Sequence, residues 1–579
     1  MSDCDVLICG GGLAGLTLAL QLMKLNSEMR ITILEKKIGP LPVATHTVGE
    51  STVEIGAHYL AEVIGLKKHL EEEHLPKLGL RYFYGNGKQP LEKRPELGAS
   101  MFSPVPTYQL DRGILENHLR MKAIEVGVAL HEGVSVSDIE LSDSHGSHAV
   151  HYQIKNETKT ITSQWVVDAM GRRRFIQRKL GLGVDSGHDA SSVWFRVKGK
   201  VSVNDLVSPR ELAWHNRNLE DRYLSTNHLM GNGYWVWLIP LSSGNTSIGI
   251  VTQNDIHDFS TYSRTYETSL AWLKEYEPHL AEILVSKELL DFKKLKNYSY
   301  GSKQIFSDNR WACVGEAGIF SDPFYSPGSD MIALTNTLTT NLILADFVGK
   351  MTKEDVGLSN DILLDVIFPD QLKYYRNMYQ VFGNTSVASV KFMWDTLYYW
   401  RVYAHKFMNG TFTDLSKVQT FRIEVKAHSA LNEQAQSLFT EWAEKTNYDA
   451  PYDHVDLATK HVFIESAINL LTKPGENGEE IKLFLQGVLD SIRAVQKEDL
   501  TKGLQSNSKA LSEAHFSTFS ELFGFQRPQE LRKREWILKI ASLGNGKILY
   551  SVRDLYVRSL VVDKPRAIGF GVLKRIYPH

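Results

Sequence analysis

The sequence predicts an α/β fold that opens on a strand–turn–helix–strand unit, broadens into a large mixed sheet and closes in a mostly helical region. Three observations predict it. Glycines spaced G-x-G-x-x-G stand between two β-branched runs at the start, longer strand-like runs fill about 190–295, and after about 345 glycine thins out and apolar residues recur at helical spacing. With 579 residues and 43% hydrophobic content, the chain has apolar side chains enough for more than one structural unit. Its 65 basic residues against 67 acidic ones leave a net charge of −2, which argues against generic nucleic-acid binding. No run approaches the ~20 apolar residues of a membrane helix. The start, MSDCDVLICGGG, has no basic segment and runs straight into a motif, so it does not read as a signal peptide. Cys4, Cys9 and Cys313 each lie in or beside an apolar run and read as buried reduced thiols, the pattern of a cytoplasmic protein.

The first element, CDVLIC, is an apolar strand; LAGLTLALQLMKL has helical apolar spacing; RITILEKK is a second short strand. Gly10, Gly12 and Gly15 form the glycine fingerprint between them, and Glu35 stands at the tip of the second strand. Glycines there allow a tight turn and close helix–strand packing, the helix N-terminus faces a pyrophosphate, and the acid reaches ribose hydroxyls. This is a Rossmann-like dinucleotide site, and no second fingerprint follows it. Three later stretches each resemble a landmark of the FAD-dependent monooxygenase fold, which implies FAD rather than NAD. YQLDRGILENHL puts Asp111 and Arg112 at a helix start; WVVDAMGRR is a strand ending in Asp168; Trp311–Leu338 reads as strand, Gly315-Glu316 turn, loop and helix. In that fold Arg112 approaches the cofactor, Gly315-Glu316 marks the turn near the ribityl chain, and the loop Asp322–Gly328 wraps the flavin ring. Glu316 replaces the usual aspartate with a longer acid.

Runs such as SSVWFRVKGKVSV and NTSIGIVTQ suit a large sheet covering the flavin. In GYWVWLIPL, Gly233–Leu241, strand alternation puts Trp235, Trp237 and Ile239 on one face and Val236, Leu238 and Pro240 on the other. Further on, KFMWDTLYYWRVYAHKF (Lys391–Phe407) and IKLFLQGVLDSIRAVQ (Ile481–Gln496) read as helices whose aromatic residues mostly fill the core, and TKPGENGEE (472–480) as an exposed turn. The chain divides into a core over 1–345 and a helical region over 346–579.

Taken together, GGGLAGL, TVGES (Thr47–Ser51), WVWLIP (Trp235–Pro240) and DPFYSPG (Asp322–Gly328) resemble the flavin-dependent halogenases over roughly 1–345. The resemblance implies FAD held by Gly10, Gly12, Leu13, Ala14 and Gly15 at the fingerprint and by Glu35 and Lys36 at the ribose. It also implies contacts from Val48 and Gly49, from Arg112, Val134 and Asp168, and from Gly315, Glu316, Pro323 and Gly328; no residue is assigned to a metal. It further implies that reduced FAD, supplied by a partner reductase, reacts with oxygen to a flavin hydroperoxide that oxidises halide. The resulting hypohalous acid travels to a lysine beside a separately bound aromatic substrate, free or carrier-tethered. Trp235 and Trp237 would then fill the space beside the flavin in which a substrate would otherwise be hydroxylated directly. The lysine the resemblance implies is Lys77, which follows TVGES by about the family's distance in a K-x-G-x-x-x-F stretch (Lys77, Gly79, Phe83) expected to share one strand face with Arg81. A lysine can polarise hypohalous acid as an ammonium or, if burial lowers its pKa, form a haloamine.

Two positions depart from the family. Its loop commonly reads S-T-G or S-S-G before the helix, where backbone amides hold the halide; here Ser326-Pro327-Gly328 loses one amide to proline but keeps that of Gly328. Tyr325 stands where the tryptophan-acting branch carries a glutamate, so the phenol- or pyrrole-acting branch is the nearer match. Two other readings stay open: an FAD-dependent monooxygenase without halide use, which Pro327 favours, and a flavin-binding chaperone or inactive partner whose helical tail docks a protein.

Overall fold

The computed structural model describes residues 3–43, 47–142, 146–446, 454–457 and 478–503. The first sheet grows from runs that are apolar on both faces, as a sheet covered by helices requires. Its order is 306–307, 311–313, 157–168, 4–9, 31–35 and 129–132, with the hairpin of 134–140 and 148–154 joined to 157–168. Cys9 opposes Asp168 on one side and Leu34 on the other in parallel register, and Asp168 opposes Cys313. Four strand ends therefore meet at one edge, the place where doubly wound sheets bind ligands. The helix Leu13–Leu25 leaves that edge directly after the glycine turn.

The second sheet runs in the order 289–295, 190–197, 246–253, 234–240, 226–231, 80–83, 96–98 and 454–456. Alternation along its central strand, Tyr234–Pro240, divides the side chains between two cores. Trp235, Trp237 and Ile239 join the core that contains the first sheet. Tyr234, Val236 and Leu238 pack with Phe195, Ile248, Ile250 and Trp272 on the far side. The strand face expected to carry the tryptophans is the one turned toward the first sheet.

The helices Gly328–Phe347, Thr385–Tyr398, Leu415–Lys445 and Gly478–Gly503 complete the fold. The aromatic stretch 391–407 is helical, and Trp394, Tyr398, Tyr403 and Phe407 are buried in the same apolar core as the first sheet. No helix among the described residues is long and apolar enough to cross a membrane. All three cysteines are buried and unpaired.

Two expectations are corrected. Lys77 and Phe83 do not share a strand face: Gly79 takes φ +77, so the strand begins only at Leu80, and Phe83 falls in the far core beside Trp214. Tyr82 instead points toward the tryptophan side. Of the supposed turn at 472–480, residues 472–477 lie outside the described residues, while Gly478–Glu480 open a helix and Gly478 is packed against Glu424. The expected helical reading of 504–579 also lies outside the described residues.

Candidate active site

The glycine turn forms the base of the site. Gly10 takes φ +112, and a Cβ there would collide with the Ala169 backbone, while one on Gly15 would collide with the Gly10 carbonyl. A Cβ on Gly12 would meet nothing within 4 Å, so the backbone faces open space at the first amides of the helix, those of Leu13 and Ala14. Glu35 accepts the Gly11 amide at 2.6 Å and the Lys37 amide at 2.7 Å, beside the exposed Lys36. Val134 opens a strand two residues beyond Glu132, which pairs with Glu35 across the sheet. Asp168 lies deeper: its carboxylate accepts the Met170 and Ile176 amides at 3.0 and 2.9 Å, and burial pushes it up to about 6. It holds the turn behind Gly10.

Arg112, at the start of its helix, donates to the Val48 carbonyl and the Glu116 carboxylate and lies across Gly49. Its buried Nε has no partner within the described protein. Gly315 turns left-handed against Ala14, and Glu316 faces Arg172 at 3.7 Å. Open backbone at Gly12, unspent helix amides and an orphaned guanidinium nitrogen fit an elongated anionic dinucleotide.

The indole pair is fixed by hydrogen bonds as well as packing. The Trp235 and Trp237 rings lie 5.6 Å apart at 42°. Trp237 donates to Ser247 Oγ at 3.3 Å, and its six-membered ring fills the space above Gly249 where a Cβ would otherwise sit. Trp235 donates to the Tyr379 hydroxyl at 3.0 Å and packs edge-on against Phe324 at 5.2 Å. Tyr379 in turn donates to Asp322 at 2.7 Å, and the same carboxylate oxygen meets Tyr298 at 2.5 Å and His188 at 2.7 Å. The helical region thus braces both the indole and the loop Asp322–Gly328.

Lys77 is 3% exposed and donates to the Thr52 carbonyl at 2.6 Å. Burial pulls it down to about 7, against the opposing charges of Glu54 and Asp330. Burial raises Glu54, and it pushes Asp330 up to about 7 even though Asp330 accepts the Tyr399 hydroxyl at 2.7 Å and the Gly56 amide at 2.8 Å. Lys77 and Asp330 are thus both brought to about 7, and Glu54 is raised by burial, so groups whose charges act on one another here can exchange protons near neutral pH.

The loop joins these parts. Ser326, at φ +58, donates to Ser51 Oγ at 3.1 Å, tying the loop to the segment before Thr52. Its amide closes a turn on the Pro323 carbonyl at 2.9 Å. Pro327 precedes the helix, so its first free amides are those of Gly328, Ser329 and Asp330. A Cβ on Gly328 would meet nothing within 4 Å, and the buried Ser329 hydroxyl has no partner within the described protein.

Residues 3–317 match the family model of the FAD binding domain. The chain belongs to that family. As an FAD-binding-domain protein it has FAD as its cofactor, and its curated relatives are flavin-dependent halogenases. One, flavin-dependent halogenase chlA from Dictyostelium discoideum, is 28% identical over 369 residues, 58% of this chain and 60% of that protein. The chain therefore aligns with less than two thirds of that relative's length. The 1H-pyrrole-2-carbonyl-[peptidyl-carrier protein] chlorinase of Pseudomonas fluorescens is 25% identical across 68% of this chain and 87% of its own. Among solved structures, halogenase PltM shares the fold with a TM-score of 0.57 at 16% identity, covering 91% of this chain and 97% of its own; it has also been solved in complex with phloroglucinol and FAD.

Several residues of the site escape sequence reasoning. Glu54 and Asp330 are 276 positions apart in sequence, and Asp322 gathers its partners from three separate elements. One signal was available: an acid inside an apolar helix, as in SDMIALTNTL, has to find a partner or lose its charge.

Proposed function

We propose that the protein is an FAD-dependent halogenase of electron-rich aromatic compounds, with Lys77 as the residue that delivers halogen. The observation that carries this reading is a buried amine, hydrogen-bonded to the Thr52 carbonyl and brought to about 7 by burial against the charges of Glu54 and Asp330, in a fold whose tryptophan pair faces the core of the first sheet. Gly10 to Gly15, Glu35, Arg112, Val48, Gly49, Gly315 and Gly328 would hold the cofactor. When bound, reduced FAD supplies the electrons for the oxygen chemistry from which hypohalous acid arises. Trp235 and Trp237 keep the aromatic substrate from the flavin, and Gly328 and Ser329 offer donors to a halide where Pro327 offers none.

At Lys77 the neutral amine attacks the halogen of hypohalous acid. A nitrogen–halogen bond forms, the halogen–oxygen bond breaks, and hydroxide leaves as water with the proton lost by nitrogen. The substrate ring carbon then takes the halogen as the nitrogen–halogen bond breaks, and the ring proton passes to the amine, with Glu54 and Asp330 setting its charge balance. The substrate belongs to the phenol or pyrrole class, free or carrier-tethered, and a flavin reductase supplies the reduced cofactor. Three buried, unpaired cysteines accord with a reducing, cytoplasmic setting.

Incubation with a flavin reductase, NADH, oxygen, bromide and a reactive phenol tests the reading. Brominated product from the wild type, lost in Lys77→Ala while flavin reoxidation continues, is the expected outcome. Hydroxylated product regardless of halide would establish the alternative that Pro327 favours, a monooxygenase on the same scaffold.

A further inference from the structure

One buried ion pair of the helical region is unused by the chemistry at Lys77. The helix Thr385–Tyr398 carries Lys391 and Asp395 one turn apart, 3% and 2% exposed, with Nζ and Oδ2 separated by 2.6 Å. Gln436 closes the pair, donating to Asp395 Oδ1 at 2.7 Å and accepting from Lys391 at 2.6 Å. The remaining partner of Oδ2 is the Tyr325 hydroxyl, which donates to it at 2.8 Å. A buried ion pair is weak support for stability, because desolvation offsets its attraction. This one grips a phenol that belongs to the flavin loop.

The surroundings of Tyr325 are aromatic. Phe324, Phe392, Tyr374 and Tyr375 have centroids 4.8–6.2 Å from its ring, and Tyr82 adjoins Phe324 and Phe392 at 5.3 and 4.5 Å. The hydroxyls of Tyr82 and Tyr374 are buried and have no partner within the described protein. Buried hydroxyls left unpaired are costly, and in a setting of flat rings they point to a flat ligand with polar groups on its edge. His228, on which the Lys77 charge acts, stacks on Tyr82 at 4.7 Å and 19°.

We propose that Asp395 is a positioning residue for the aromatic substrate, acting through Tyr325. Because the Tyr325 hydrogen is committed to Asp395, its oxygen lone pairs face outward as acceptors and select a substrate carrying a free O–H or N–H. Burial and the Asp395 charge both hold Tyr325 in its neutral form, so it remains a fixed dipole and loses no proton. A substrate O–H donating to that oxygen gains electron density in its ring, which is where halogen enters. The inference rests on the halogenase reading for the reaction but concerns which rings are admitted.

The test uses the full-length FAD-loaded protein with resorcinol and 1,3-dimethoxybenzene, two rings that differ in their free hydroxyls. Calorimetry without turnover should show Tyr325→Phe binding resorcinol on the order of tenfold more weakly, a single hydrogen bond's worth, with 1,3-dimethoxybenzene unchanged. In bromination, Asp395→Asn, which keeps an acceptor for Tyr325 but removes the charge, should lower kcat on resorcinol with KM nearly unaltered. If Asp395→Asn does not fold, Tyr325→Phe alone decides. Unchanged resorcinol affinity in Tyr325→Phe, equal losses on both rings, or a wild type that does not bind resorcinol would each overturn the proposal. A wild type that binds resorcinol through Tyr325 yet brominates nothing would refute the halogenase reading and leave this one standing.

Discussion

Replacing Lys77 with methionine keeps the length of the side chain and removes its charge. Burial pulls Lys77 from the ordinary 10.5 down to about 7, outweighing the opposing charges of Glu54 and Asp330. Between these values the unfolded chain holds a proton that the folded chain has released, so wild-type stability rises with pH across that window. Below it both states are protonated and the burial cost is constant. At about 1.4 kcal/mol per pH unit, the cost is about 4 kcal/mol at pH 7 and about 2 kcal/mol at pH 9. Losing the hydrogen bond to Thr52 offsets about 1 kcal/mol of the gain at either pH. Lys77→Met should therefore be at least as stable as wild type at pH 7, with its advantage shrinking by about 2 kcal/mol at pH 9. Glu54 and Asp330, left without the ammonium, favour protonation and narrow the gap further as pH rises. Urea unfolding of both FAD-loaded proteins at the two pH values measures the gap, and a parallel bromination assay should find the variant inactive. A variant less stable at pH 7 with the wild-type pH dependence, or one that still brominates, would refute the placement of Lys77 as a buried, near-neutral reactive amine.

Other predictions follow from the same geometry. Trp237→Ala should open the space beside the flavin, so that hydroxylated product or free peroxide appears beside halogenated product in chromatography; halogenation as clean as wild type would remove the barrier role. Tyr379→Phe should cost about 2–3 kcal/mol of stability through the lost bonds to Trp235 and Asp322 and raise peroxide release, measured by a coupled peroxidase assay. Gly12→Val should fold with a near-wild-type melting temperature but retain little FAD, whereas Gly15→Val, whose side chain meets the Gly10 carbonyl, should fail to accumulate as folded protein. Asp330→Asn removes one of the charges that raise Lys77 and should move the rising limb of the bromination pH profile to lower pH; an upward shift contradicts the assignment.

Much of the frame was legible because periodicity and glycine placement are local properties. Gly10, Gly12 and Gly15 with Glu35 announce a turn whose geometry depends on a few neighbouring residues. The alternation in GYWVWLIPL correctly assigned Trp235 and Trp237 to a shared face, because strand periodicity leaves no other arrangement. What the pattern could not give was depth and partnership. The stretch 391–407 read as core aromatics, which it is, yet within it Lys391 and Asp395 form a buried pair completed by Gln436 and Tyr325, residues 45 and 70 positions away. The shared strand face expected for Lys77 and Phe83 failed because one left-handed glycine, Gly79, resets the alternation. Lys77 was proposed from the resemblance and its distance from TVGES, whereas the charges of Glu54 and Asp330 that act on it come from positions the sequence does not bring together.

The most direct test of the whole account is the structure of the FAD-bound protein with resorcinol. The account predicts the ring beside the Lys77 amine, with the Trp235 and Trp237 indoles between it and the isoalloxazine. Resorcinol stacked directly on the isoalloxazine, with Lys77 turned away from it, would contradict the central claim.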